Sequence, residues 1–156
     1  MYMLIQLIMK NLKSIIYLCK SSIEYIEIPD GIGQIQTGAF SECSSLRSIV
    51  IPSSVYCIGK YAFEECYKLE SVIMKCDHLT IGTEAFASCT NLRKVVMFDS
   101  IDIENFAFKK CYNIKSFIRI RNGKPQGTVE KYGCPINCKE TFVETKSISE
   151  DFWNNI

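Results

Sequence analysis

Cysteine and histidine are the residue types here with the most chemistry to offer, and the chain holds nine of the first and one of the second. Cys76 and His78 stand two residues apart, a spacing that on an extended strand puts a thiol and a base on the same face. A thiol nucleophile also needs an orienting acid and a site for the oxyanion, and the surrounding sequence supplies neither. A thiol enzyme is therefore the remotest reading, and no catalytic residue is assigned. Cys134 and Cys138, in the segment CPINC, make half of a zinc site with no second cysteine pair or histidine nearby; a loop pair, free or disulfide-bonded, is the plainer reading. Asp30-Gly31-Ile32-Gly33 lacks the third glycine of a dinucleotide fingerprint and the lysine of a phosphate loop. The sequence thus implies no cofactor.

Cys43, Cys66, Cys89 and Cys111 belong to a larger pattern. Each follows an Ala-Phe pair by three residues, at Ala39-Phe40, Ala62-Phe63, Ala85-Phe86 and Ala107-Phe108, so the steps are 23, 23 and 22 residues. Leu46, Leu69, Leu92 and Ile114 come next in the same frame, then Ile49, Val72, Val95 and Phe117, while Ile35, Ile58, Ile81 and Ile103 precede the Ala-Phe pairs. Ile23, Ile26, Ile28 and Pro29 match Leu46, Ile49, Ile51 and Pro52 one unit earlier.

These positions need elements that recur with them. IEYIEIP, LRSIVIP, LESVIMK and LRKVVMF are short, rich in β-branched residues and bounded by breakers, as strands are. Strands of one polarity repeating at a fixed interval pair in parallel, one coil above the next, at a spacing of about 4.8 Å. Between Ile35 and Cys43 the chain must turn back within about ten residues, which predicts a second short strand and then a tight helical turn at each Ala-Phe, and Gly59 and Gly82, aligned ahead of the turn, are compatible with that bend. Such a stack spreads the four aligned cysteines over about 14 Å, too far to share one metal ion. Parallel side-chain directions also disfavour disulfides between neighbouring coils. The four are expected to be reduced, small, apolar core residues.

The pattern aliphatic-x-x-aliphatic-x-aliphatic-Pro followed by Ile-Gly-x-x-Ala-Phe-x-x-Cys-x-x-Leu, over about residues 23–120, resembles the BspA-like leucine-rich repeat family. The third coil departs from it with Met74-Lys75 in place of Ile-Pro, and the fourth lacks the glycine and is one residue short. What the resemblance implies is a repeat solenoid, a right-handed leucine-rich-repeat superhelix of mainly parallel β structure with short helical turns. It also implies kinship with surface proteins of bacteria and parasitic protists that bind host or microbial proteins, and hence adhesion.

Three segments are expected: residues 1–22 as a degenerate capping coil, 23–122 as repeats, and 123–156 as a C-terminal cap or tail. The first nineteen residues are apolar, yet Lys10 and Lys13 follow the first hydrophobic stretch and no small-x-small cleavage site appears, so a degenerate coil fits better than a signal peptide. The compartment stays open between the cell surface, which the resemblance implies, and the cytoplasm, which reduced thiols without a clear signal peptide would fit. After the frame breaks at Asn122-Gly123-Lys124-Pro125, Glu140 to Glu144 reads as a closing strand, and Ser147 with Glu150 as the capping box of a short helix carrying Trp153, the whole covering the open end of the stack.

Eighteen basic residues against seventeen acidic ones leave no global field for nucleic acid or an anionic membrane, and no uninterrupted apolar run is long enough to cross a bilayer. A partner must be met by local shape. Outward positions of the strands form a row, Glu27, Val50, Ile73, Val96 and Ile118, flanked by Tyr25, Ser48, Ser71, Lys94 and Ser116, with Arg47, Glu70, Arg93 and Lys115 at the rim. An apolar stripe with a polar border suits a protein-binding surface of which Tyr25, Arg47, Val50, Ile73, Arg93, Lys94, Val96 and Ile118 are the contact residues. Two other readings compete: β-branched residues simply suit strands, or the C-terminal segment folds over the row. The expected function is a non-catalytic protein-binding module with a protein partner; the alternative is a structural protein that self-assembles into homo-oligomers.

Overall fold

A computed structural model describes residues 23–122, 132–135 and 138–155. The described residues hold ten strands in two parallel sheets, alternating between them until the last two. The long sheet takes β1 (Tyr25–Glu27), β3 (Ser48–Ile51), β5 (Ser71–Met74), β7 (Lys94–Phe98), β9 (Ser116–Arg121) and β10 (Lys139–Glu144) in that order. The short sheet takes β2 (Gln34–Ile35), β4 (Cys57–Ile58), β6 (Thr80–Ile81) and β8 (Asp102–Ile103). A three-residue 3-10 turn, Thr145–Ser147, leads to the helix α1 (Glu150–Asn154). Residues 1–22, and with them the expected degenerate coil, lie outside the described residues.

The register is the one the repeat frame requires. Ile26, Ile49, Val72, Val95 and Phe117 pair in succession across the long sheet, and Ile35, Ile58, Ile81 and Ile103 across the short one. Between the sheets the Leu, Ile, Phe and Cys columns are buried in one continuous core. The residue missing from the fourth coil is absorbed by the loop between β7 and β8, because Ser71 pairs with Lys94 at an offset of 23 while Thr80 pairs with Asp102 at an offset of 22. A shortened loop leaves the strand faces where they were, whereas a deletion inside a strand would have turned its apolar set outward.

At each Ala-Phe the chain forms turns instead of the expected helical turn. Ala39, Ser41 and Cys43 donate to the carbonyls of Gln36, Gly38 and Phe40, all three residues back, while Phe40 and Glu42 donate across to Ala62 and Glu64 of the next coil. Helix cannot propagate because two positions per coil are left-handed: Gly38, Tyr61, Glu84 and Phe106 before the Ala, and Glu42, Glu65, Ser88 and Lys110 before the Cys. Those kinks aim every second amide along the stack, so the coils are hydrogen-bonded to each other even through their turns.

Gly59 and Gly82 open the bend, their carbonyls accepting from the Ala62 and Ala85 amides at 3.3 and 3.2 Å, and close packing requires them as well. A Cβ on Gly59 would stand 2.5 Å from the Thr37 nitrogen, and one on Gly82 would stand 2.9 Å from the Lys60 nitrogen. Backbone lies against backbone there, and glycine is what permits the approach.

The C-terminal segment ends the stack differently from expectation. β10 does add a closing strand, Glu140 pairing with Phe117 and Phe142 with Arg119. The chain then turns onto the outer face of the long sheet, so the helix covers a face as well as following an end. Ser149 caps α1, its hydroxyl accepting from the Phe152 amide at 3.4 Å; Ser147 belongs to the preceding 3-10 turn, two residues too early to cap a helix that begins at Glu150.

Candidate functional site

The sulfur chemistry can be placed first. Cys43, Cys66, Cys89 and Cys111 are buried and none is in a disulfide. Their thiols are more than apolar filler: Cys66, Cys89 and Cys111 donate to the carbonyls of Phe40, Phe63 and Phe86 in the coil before, at 3.2, 3.1 and 3.0 Å. Burial pushes the Cys89 thiol well up, with the neighbouring thiols of Cys111 and Cys66 adding to it. A ladder of weak S–H donors tied to carbonyls holds coils together and offers no nucleophile.

Cys76 and His78 are not brought together as a dyad. Cys76 is in the core, where burial pushes its thiol up to about 12, while the His78 ring stands in solvent with Asp77 3.8 Å away. The coil edge curls between them, so the alternation of a straight strand does not apply. Cys134 is buried in the core and Cys138 packs against that core, with burial pushing the Cys138 thiol up to about 11; the two are not joined in a disulfide. Among the described residues no group of three or more His, Cys, Asp or Glu could hold a metal ion, and no helix is long and apolar enough to cross a membrane.

On the outer face of the long sheet, one of the competing sequence readings, the C-terminal segment folding over the row, is realised in part. Glu27, Val50, Ile73, Val96 and Ile118 do line up as one outward row, each paired to the next. Exposure along the row is uneven: Val96 is 0% exposed and Ile73 9%, whereas Val50 and Ile118 are half-buried and Glu27 is exposed. What covers the middle is the chain's own C-terminal segment. Ile148, Phe152 and Trp153 pack with Ile73, Val96, Ile120 and Phe98 in a second apolar cluster. Trp153 meets Phe98 with ring centroids 6.3 Å apart, and the Lys75 ammonium sits 5.6 Å from the Trp153 ring centroid. Of the eight residues expected to make contacts, Tyr25 and Arg93 are exposed and Arg47, Val50, Lys94 and Ile118 half-buried; Ile73 and Val96 lie beneath the strap. Arg47 is held between Glu24 at 3.3 Å and Glu70 at 2.8 Å, and those carboxylates raise its pKa further.

Two features escaped the sequence reading. One is a second outward row, Pro52, Lys75, Phe98 and Ile120, apolar and large only in the last coils; Phe98 pairs with Ile120, and together they seat the strap. The other is Arg119, which occupies the inward slot held by Ile51, Met74 and Met97 in earlier coils. Its guanidinium, 1% exposed, bonds to Asp99 at 2.6 Å and Glu140 at 2.8 Å. Burial alone would lower its pKa; the Glu140 hydrogen bond and the Asp99 charge outweigh that and raise it. A cation breaking an aliphatic column was a visible signal in the frame.

Comparison with known proteins agrees with this architecture. A leucine rich cell surface protein from Faecalibacterium prausnitzii A2-165 superposes with a TM-score of 0.64 at 24% identity, covering 87% of this chain and 35% of that one. A leucine-rich repeat protein from Bacteroides ovatus ATCC 8483 superposes with a TM-score of 0.53 at 22% identity, covering 78% of this chain and 42% of that one. The chain thus spans less than half the length of either. No curated protein matches it. The family model described as BspA type leucine rich repeat region matches residues 10–125 in six copies. With that match spanning most of the sequence, and the stacked Ala-Phe turns, thiol ladder and aliphatic strands running through it, the chain belongs to the BspA type leucine-rich-repeat family.

Proposed function

We propose that the chain is a non-catalytic protein-binding module that engages its partner through the outer face of the long sheet, with Tyr25, Arg47, Val50, Arg93, Lys94 and Ile118 as accessible contact residues. One observation carries this: the face already packs a polypeptide segment, the strap, over Ile73, Val96 and Ile120, while Tyr25 at 67% exposure and Arg93 stand exposed at its edge and Val50 is only half-buried. Apolar strand residues beside exposed aromatic and basic side chains form the centre and border of an interface. The burial of Cys76 away from His78 supports the non-catalytic part. A place at the cell surface is what the Faecalibacterium structure suggests, since that protein is described as a cell surface protein, and adhesion is the specific form that the family resemblance implies.

The test compares proteins retained by the immobilised full chain with those retained by a Tyr25→Ser/Arg93→Glu variant of matched circular dichroism. Partners held by the wild type and lost by the variant are expected; the same set on both would exclude this face. Light scattering over a concentration series separates the self-assembling alternative, in which mass rises without any partner.

A further inference from the structure

Three places invite further use: the exposed aromatic side chains of the turns, the outer edge of β10, and the strap. The first two carry only exposure, whereas the strap shows what kind of chain the sheet face accepts. We infer that the C-terminal strap is an internal competitor, and that the face it covers takes in its place a short segment of a partner protein carrying an aliphatic residue followed four and five positions later by two aromatic ones. This rests on the sheet face being the binding surface.

The strap's chemistry defines that ligand. Ile148, Phe152 and Trp153 enter the cluster with Ile73, Val96 and Ile120. At its edge the Lys75 ammonium stands 5.6 Å from the Trp153 ring centroid. Recognition is therefore apolar at the centre, with a cation over an aromatic ring at the border.

The strap is also built to leave. α1 has five residues, too few to hold helical shape without packing. Phe152 and Trp153 are only half-buried, although Ile73 and Val96 beneath them are buried. Upstream, the chain stays anchored when the strap lifts, because β10 is paired along its length with β9 and the Thr145 hydroxyl donates to the Arg121 carbonyl at 2.8 Å. Release would thus uncover Ile73 and Val96 without unravelling the ladder. Tethering makes the strap an effective competitor at high local concentration, so an untethered ligand must bind better or be present in excess.

The experiment uses a fluorescein-labelled peptide with the sequence of residues 147–155 and fluorescence anisotropy on the full-length chain. A Phe152→Ala/Trp153→Ala protein should bind the peptide saturably and about tenfold or more tighter than the wild type, whose own strap competes. Lys75→Glu on that background should weaken binding severalfold, and Ile73→Ser should abolish it, with melting curves confirming that each variant is folded. Absence of saturable binding to the folded double variant, equal affinity in wild type and variant, or indifference to both Lys75→Glu and Ile73→Ser would overturn the inference. A wild-type dimer abolished by Phe152→Ala/Trp153→Ala would overturn it in favour of a second copy as the occupant. The partner-retention test with Tyr25 and Arg93 uses residues outside the strap cluster, so the two readings fail separately.

Discussion

Phe63 and Phe86 lie face to face across neighbouring coils with ring centroids 5.0 Å apart and planes 3° from parallel. Phe40 and Phe108 extend the column at 5.0 and 5.2 Å. Carbon atoms touch at about 3.5 Å, so rings this far apart are slid sideways, the offset arrangement that aromatic quadrupoles favour. Truncating Phe63 or Phe86 to Ala leaves a cavity open to two neighbours at once. The expected cost is about 3 to 5 kcal/mol by equilibrium urea unfolding, spreading along the stack because each coil touches only its neighbours. A change under about 1 kcal/mol would remove the ring column from the list of stabilising elements.

Turn positions predict opposite signs for two changes involving glycine. Gly59→Ala sets a methyl 2.5 Å from the Thr37 nitrogen, and backbone cannot step aside as a side chain can. Overpacking of this kind costs about 1 to 3 kcal/mol. Glu65→Gly does the reverse: Glu65 has a φ of 59°, and relieving a left-handed non-glycine residue recovers about 1 kcal/mol against glycine's larger loss of freedom. Thermal melts of the two variants should move to opposite sides of the wild type.

The solenoid was legible because a period of 23 residues names the same slot repeatedly, so Ile49 and Val72 testify to one another. That redundancy ends where the environment changes between coils. Nothing in the column of Pro52, Lys75, Phe98 and Ile120 marks it as a seat for Trp153, since only its last two members are large and apolar and their occupant lies outside the repeat. The turns were legible in part: Gly59 and Gly82 do open the bend, their carbonyls accepting from Ala62 and Ala85, but the left-handed positions are filled by Tyr61, Glu84 and Glu65, which no glycine marks. Cys76 and His78 shared a face only on the assumption of straight strand, which the coil edge does not provide.

Arg119 and Asp99 make a coupled pair whose members should not be removed singly. Arg119→Met restores the side chain of the preceding coil's slot but strands Asp99, 1% exposed, beside apolar neighbours. Breaking one side of a buried pair costs about 3 to 5 kcal/mol, whereas removing both charges can be close to neutral. Arg119→Met/Asp99→Ala should therefore be more stable than the Arg119→Met protein, giving a favourable coupling of about 1 kcal/mol or more in a double-mutant cycle. Simple addition of the two single effects would show that Glu140 alone satisfies the guanidinium.

The buried thiols tie stability to pH on the alkaline side. In the folded chain Cys76 has its pKa pushed by burial from an ordinary 9 up to about 12, so between those values the folded state keeps a proton that the unfolded state has lost. Stability then falls as pH rises, by about 1.4 kcal/mol per unit for a single such group in the middle of that window, and is fully present below pH 9. Cys89 and Cys138 are shifted in the same direction and add to the slope. Urea midpoints measured from pH 8 to pH 10.5 should decline, and Cys76→Ala should decline less steeply even though its cavity lowers the whole curve. The same burial makes iodoacetamide modification of Cys66, Cys76 and Cys89 slow in the native protein and fast in denaturant. Rapid native labelling of Cys76, or a pH slope that survives its replacement unchanged, would place this thiol outside the core and reopen a chemical role for it.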